Sequence, residues 1–160
     1  MILSNSFGGT SFRLKLHGAE DRVEELNTAA AKLARQSADT YSETSGRRII
    51  VAGSMGPTGE LFEPLGGLTY DSAVKGFVEQ AKALANGGVD VIWIETMSSK
   101  EEVAAAIDAA KSTFLPICST MTFDTAGRSM MGIKPGDFVS FAVAQGVDFV
   151  GANCGIGPAE

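Results

Sequence analysis

A chain of 160 residues with 44% hydrophobic and 20% charged residues holds enough apolar material for one packed core, which excludes a disordered or low-complexity protein. The net charge of −6, from 13 basic and 19 acidic residues with no basic stripe, excludes nucleic acid and anionic membrane surfaces as partners. No apolar run approaches the roughly 18 residues of a membrane helix, Met1-Ile2-Leu3 leads straight into polar residues unlike a signal peptide, and two cysteines are too few for a disulfide scaffold, so a reducing, cytoplasmic setting is expected.

The first apolar run, Met1–Ser4, reads as a strand and opens into Asn5-Ser6-Phe7-Gly8-Gly9. From Asp21 to Asp39, Val23, Leu26, Ala30 and Leu33 recur at helical spacing, with Gly46 as a later stop. Ile49–Ser54 is the second strand and runs into a glycine-rich loop, Gly53-Ser54-Met55-Gly56-Pro57-Thr58-Gly59. A helix over Ser72–Ala85 carries Val74, Phe77, Val78, Ala81, Leu84 and Ala85 on one stripe, closed by Gly87. Val89–Ile94 is the third strand, with Glu95 at its tip. Ser98 and Glu101 fit a capping box for a helix over Lys100–Phe114, whose stripe is Val103, Ile107, Ala110 and Phe114. Ile117–Thr122 is the fourth strand, followed by the loop Asp124-Thr125-Ala126-Gly127-Arg128-Ser129. Pro135 suits the first position of a helix reaching Gln145, with Asp137 in its first turn, Phe138, Phe141 and Ala142 inward, and Gly146 as its stop. Val147–Ala152 is the fifth strand and ends abruptly on Asn153-Cys154.

Most of these strands are continuous apolar runs, the pattern of strands buried on both faces. The order βαβαβαβαβ dictates a parallel α/β sheet with helical crossovers, either an open doubly wound sheet or part of a (β/α)8 TIM barrel. Both place their chemistry at the C-terminal ends of the strands. An internal echo favours the barrel. Gly88-Val89-Asp90-Val91-Ile92-Trp93-Ile94-Glu95-Thr96 aligns with Gly146-Val147-Asp148-Phe149-Val150-Gly151-Ala152-Asn153-Cys154, each a helix stop, an apolar strand and a polar tip. A barrel takes about 250 residues, Met1 falls inside a strand, and Gly157-Pro158-Ala159-Glu160 reads as the opening of a helix. The expectation is one partial barrel domain over residues 1–160, a fragment lacking the first strand and the last two strands.

Several residues are placed to carry chemistry. Cys154 follows a strand between Gly151 and Gly155 and reads as a metal thiolate, a nucleophile or a small packed side chain. Cys118 lies mid-strand, where core packing is expected. Glu95 can grip an ammonium group or act as a base, or simply be solvated. The Gly53–Gly59 loop offers backbone N–H groups to a phosphate, but it lacks the P-loop lysine and the GxGxxG spacing, so a tight turn under a substrate is the other reading. Arg128 can bind a carboxylate, or hold its loop to Asp124 or Glu95. Asn5 and Ser6 can bond a polar substrate or cap their own loop. His17, the only histidine, reads as a surface residue.

Five blocks together resemble the homocysteine S-methyltransferase family: Ser4-Asn5-Ser6-Phe7-Gly8-Gly9, Ala52-Gly53-Ser54-Met55-Gly56-Pro57-Thr58-Gly59, Trp93-Ile94-Glu95-Thr96, Met121-Thr122-Phe123-Asp124 with Gly127-Arg128-Ser129-Met130-Met131-Gly132, and Gly151-Ala152-Asn153-Cys154-Gly155-Ile156-Gly157-Pro158. The resemblance spans essentially the whole chain, and the last block is its most specific part. It implies a zinc-dependent (β/α)8 barrel in which Cys154 is the first of three zinc thiolates, the other two being an adjacent Cys-Cys pair that this chain does not contain. It also implies that Glu95 holds the homocysteine amino group, with Asn5 or Ser6 near the substrate.

The expected function is therefore zinc-dependent methyl transfer to the homocysteine thiol, forming methionine. The donor is betaine, another methylated onium compound or methylcobalamin, a homo-oligomer is possible, and the fragment itself is expected to be inactive. Two other readings stand beside it: a barrel hydrolase or lyase with Cys154 as a metal-free nucleophile, and a non-catalytic small-molecule binding barrel.

Overall fold

The computed structural model describes residues 1–124 and 126–155; the helix opening expected at Gly157–Glu160 lies outside them. Five strands, β1 (Ile2–Leu3), β2 (Val51–Met55), β3 (Val91–Met97), β4 (Ile117–Phe123) and β5 (Phe149–Gly155), form one sheet in chain order, every neighbouring pair parallel. The crossover after β1 holds α1 (Ser11–Leu14), two 3-10 turns (Lys15–His17 and Glu20–Arg22) and α2 (Val23–Ser45). The later crossovers are α3 (Tyr70–Asn86), α4 (Lys100–Lys111) and α5 (Pro135–Ala144). Spatial order that follows chain order belongs to the barrel, because a doubly wound sheet reverses at a switch point. The strands curl into a half-barrel.

The two faces of the sheet differ. Toward the helices, Val51, Met55, Ile92, Ile94, Ile117 and Met121 share one buried cluster with helix residues such as Phe77, Leu84, Val103, Ile107 and Phe138. Each such side chain contributes roughly 1.5–3 kcal/mol by leaving water. On the inner face Ala52, Val91 and Cys118 pack around Trp93, a cluster to which no helix residue among the described residues belongs. Leu3 and Phe149, paired in register with Ala52 and Cys118, flank that cluster and are exposed.

The internal echo has a structural cause. Asp90 Oδ2 accepts the N–H of Val51, the first residue of β2, at 2.7 Å, and Asp148 Oδ2 accepts the N–H of Ile117, the first residue of β4, at 2.8 Å. In each unit an aspartate leading into one strand ties off its neighbour.

Three local expectations are corrected. The inward stripe of α2 is Val23, Asn27, Ala30, Ala31, Ala34 and Ala38, while Leu33 is 60% exposed. Small residues let α2 lie close on α3: Ala31 Cβ would meet any Cβ added at Gly87. Leu26 and Leu33 instead line a cleft beside the β1 loop. Secondly, α4 ends at Lys111, not Phe114. The Ser112 and Thr113 hydroxyls each donate to a carbonyl of the last turn, at 2.7 Å, and Phe114, at φ 59°, turns the chain outward and is 95% exposed. Thirdly, the cap of α4 is Ser99, whose Oγ accepts the Glu102 N–H at 3.2 Å, one residue later than the Ser98–Glu101 box.

Candidate functional site

All strands being parallel, their C-terminal tips meet at one end of the sheet. Alternate residues face inward, and along each strand they change from apolar to polar toward that end: Ala52 then Ser54 on β2, Val91 and Trp93 then Glu95 on β3, Cys118 then Thr120 on β4, Gly151 then Asn153 on β5.

Glu95 is half-buried, and its Oε1 accepts a short hydrogen bond from Ser54 Oγ. Ser54 is fixed in turn by β1: its N–H donates to Ser4 Oγ at 3.1 Å, and its carbonyl accepts the Ser6 hydroxyl at 2.8 Å. Since Ser6 spends its proton on that carbonyl, Ser4 donates to Ser6 across their 2.6 Å contact. The buried Ser4 and Ser6 hydroxyls thus clamp the Ser54 backbone, and the Ser54 hydroxyl in turn holds the Glu95 carboxylate. Burial, and secondarily the charge on Glu95, push the Cys118 thiol up to about 11, so Cys118 is a neutral packed thiol, the core role its mid-strand position suggested.

Cys154, at the β5 tip, is exposed and left-handed at φ 51°. Its sulfur accepts from Asn153 Nδ2 at 3.4 Å. The β3 tip has a matching irregularity: the register shifts between Ile94 and Met97, and Thr96 adopts φ 63°. Asn153 joins the two tips by hydrogen bonds to Thr96.

The other expected site residues fall in different places. Asn5 is exposed and lines the cleft between the β1 loop and α2. Ser6 is buried and acts on Glu95 only through Ser54. His17 is exposed on the first 3-10 turn. Arg128 is exposed and donates to the Gly132 carbonyl at 3.2 Å within its own loop. In the glycine-rich loop the Thr58 N–H already bonds the Glu102 carboxylate, the opposite of a phosphate cradle, and Gly56 lies under the Phe7 ring, where an added Cβ would come within 2.5 Å. This is the tight-turn reading of that loop. Ser54, Thr96, Thr120 and Asn153 complete the tip network; inward alternation along the strands is the signal that would have found Ser54, Thr120 and Asn153, whereas Thr96 joins through the register shift and left-handed backbone at the β3 tip.

Among the described residues no group of three His, Cys, Asp or Glu is placed to hold a metal ion. Cys154 offers one thiolate donor, and an open zinc site takes three protein ligands. The residues present therefore do not by themselves fit a complete zinc site.

The family described as homocysteine S-methyltransferase matches residues 1–160. Methionine synthase of Mycobacterium tuberculosis (strain ATCC 25618 / H37Rv) is 29% identical over 165 residues, covering 99% of this chain and 14% of the relative. Methionine synthase of Mycobacterium leprae (strain TN) is 27% identical over 166 residues, covering 100% of this chain and 14% of the relative. The chain thus spans only a small part of these relatives. The homocysteine methyltransferase MmuM from Escherichia coli, in its metallated form, superposes with a TM-score of 0.81 at 20% identity, over 95% of this chain and 57% of that one. Its apo form gives 0.72 over 84% and 51%. These likenesses show the fold, a partial barrel. With the family matched from the first residue to the last, on a sheet whose strands run in barrel order, the chain belongs to the homocysteine S-methyltransferase family.

Proposed function

We propose that this chain forms part of an enzyme that transfers a methyl group to the thiol of homocysteine, forming methionine. The observation that carries the reading is the fixed carboxylate of Glu95, held by Ser54 at the same sheet end as Cys154. An amino acid presents an ammonium group, and a carboxylate positioned at a strand tip is the partner that group needs. With the ammonium anchored on Glu95, the substrate sulfur is directed along the tips toward β5. In the transfer the sulfur forms a bond to the methyl carbon, while the bond from methyl to donor breaks and leaves its electron pair on the donor; the thiol proton is released. Such an in-line displacement depends mainly on positioning. The donor is a methylated onium compound such as betaine, or methylcobalamin.

Zinc dependence is part of the proposal: Cys154 would supply one of the three protein ligands that such a site takes, and the metal would keep a bound thiol as thiolate at neutral pH. The metal-free nucleophile reading is disfavoured by the partner of the Cys154 sulfur, which is the Asn153 amide, a group that neither takes nor gives up a proton.

Calorimetric titration with L-homocysteine and with its desamino analogue tests the Glu95 role. Homocysteine should bind at least about tenfold more tightly than the analogue, and Glu95→Gln should abolish that preference. Equal affinity for the two ligands in the wild-type chain overturns the reading.

A further inference from the structure

We infer that Asn153 is a positioning residue that sets Glu95 and Cys154 relative to each other, by bracing the left-handed backbone at both strand tips. The inference rests on the proposed reading of the site and concerns a residue to which that reading gives no role.

An asparagine amide has two N–H donors and a carbonyl oxygen with two lone pairs. Asn153 uses all four. Its Oδ1 accepts the Thr96 N–H at 2.9 Å and the Thr120 hydroxyl at 2.6 Å. Its Nδ2 donates to Thr96 Oγ1 at 2.7 Å and to Cys154 Sγ at 3.4 Å. The Thr122 hydroxyl holds the Asn153 carbonyl at 3.1 Å, so the brace is itself anchored on β4. One side chain thereby ties together β3, β4 and β5.

What it holds is strained. Thr96 and Cys154 lie at φ 63° and 51°, a region residues other than glycine rarely enter and β-branched threonine least readily. Such conformations persist only where the surroundings over-determine them, and they gather at functional sites. Thr96 directly follows Glu95. Its two hydrogen bonds with the Asn153 amide, one from its N–H and one to its hydroxyl oxygen, fix both its backbone and its rotamer, and so fix the direction in which the chain carries Glu95. On the other strand the same amide donates to the Cys154 sulfur and fixes the Cys154 side chain. No alternative donor for that sulfur is present among the described contacts.

Asn153→Ala and Asn153→Asp separate the parts of the brace. Aspartate keeps acceptors for the Thr96 N–H and the Thr120 hydroxyl, and the Thr96 hydroxyl can donate to its second oxygen where it accepted from Nδ2, but it has no donor for sulfur. Backbone and Cβ carbon chemical shifts report φ and ψ residue by residue. In Asn153→Ala the shifts of Thr96 and Cys154 should both leave left-handed values while those of α2 to α4 stay put. In Asn153→Asp, Thr96 should keep its shifts and Cys154 alone should change. Homocysteine affinity should fall about tenfold in Asn153→Ala. Combined with Glu95→Gln the loss should be no larger than for Glu95→Gln alone, because Asn153 acts through Glu95; a purely structural role gives additive losses. Unchanged shifts at both tips in Asn153→Ala, or additive losses, overturn the inference. A wild-type chain that does not bind homocysteine sinks the functional reading instead, and the chemical shifts still decide the brace.

Discussion

The Glu102 carboxylate, in the first turn of α4, accepts hydrogen bonds from both the backbone N–H and the hydroxyl of Thr58, at 2.8 and 2.6 Å. Glu102 is only 5% exposed, and through Thr58 it ties the loop after β2 to the start of α4 at the sheet end where Glu95 lies. Burial pushes its carboxyl above the usual value, and the two bonds from Thr58 offset that only in part. The folded state therefore holds this proton more tightly than the unfolded state. Its contribution to stability is fully present below pH 4.5 and is lost as pH rises through the raised folded value. Glu102→Gln keeps an acceptor without a charge, so it should flatten the pH dependence of the urea midpoint on the alkaline side of that range. Glu102→Ala strands the buried Thr58 N–H and should cost about 2 kcal/mol.

Gly9 ends the β1 loop against a buried amide network. Asn27 Nδ2 donates to the Gly9 and Val23 carbonyls, each at 2.8 Å, and Gln80 Nε2 donates to the Ser6 carbonyl at 2.7 Å and to Asn27 Oδ1 at 3.1 Å. A Cβ at Gly9 would overlap Asn27 Oδ1 and come within 2.7 Å of Gln80 Nε2. Gly9→Ala should thus break the network and lower stability by about 2–3 kcal/mol in urea unfolding. Weaker homocysteine binding should accompany it, because Ser6 carries Ser54 and Ser54 carries Glu95.

The same positions explain what the sequence could and could not reveal. The continuous apolar runs of β2, β3 and β4 are largely buried as their pattern announces, whereas β1 and β5, at the two edges of the sheet, are largely exposed; Glu95 and Cys154 stand out as polar residues ending apolar runs. Burial of Glu102 was not legible: Glu101 and Glu102 look alike, and placing the cap at Ser99 instead of Ser98 decides which of them turns inward. Leu33 and Phe114 were misplaced because helical spacing ranks leucine and phenylalanine as core, whereas alanines fill the close contact beneath α2 and the serine–threonine stop ends α4 early. The bonding of Asn153 depends on the register of three strands and a shift at the β3 tip, which no single segment encodes.

Asp90 should show the opposite pH behaviour to Glu102. Burial pushes its carboxyl up, but the Val51 N–H and the Arg35 and Arg48 guanidiniums outweigh burial and hold it below its ordinary value. Arg35 Nη1 lies 2.9 Å from Asp90 Oδ2. A depressed folded value means that the contribution is present above pH 3.8 and is lost as pH falls through the folded value. Asp90→Ala should cost about 2 kcal/mol near neutrality, the range for a hydrogen bond to a charged group. The gap between variant and wild type should close in acid, as read from unfolding midpoints. Asp90→Asn, which can still accept from Val51, should fall between the two.

Zinc binding by the 160-residue chain tests how far the site is self-sufficient. The chain contains two cysteines and one histidine. Cys118 packs inside with its thiol pushed up to about 11, His17 sits on a surface turn, and Cys154 alone presents sulfur at the strand tips. A thiolate ligand must be deprotonated, and a catalytic zinc site needs three protein donors before its fourth position is offered to a substrate. One donor leaves zinc mostly hydrated. Competition against a chromophoric chelator should therefore find no tight stoichiometric site, and Cys154→Ser should change the weak residual binding little. A one-to-one complex abolished by Cys154→Ser overturns this prediction, and would mean that ligands other than cysteine and histidine gather at the β5 tip.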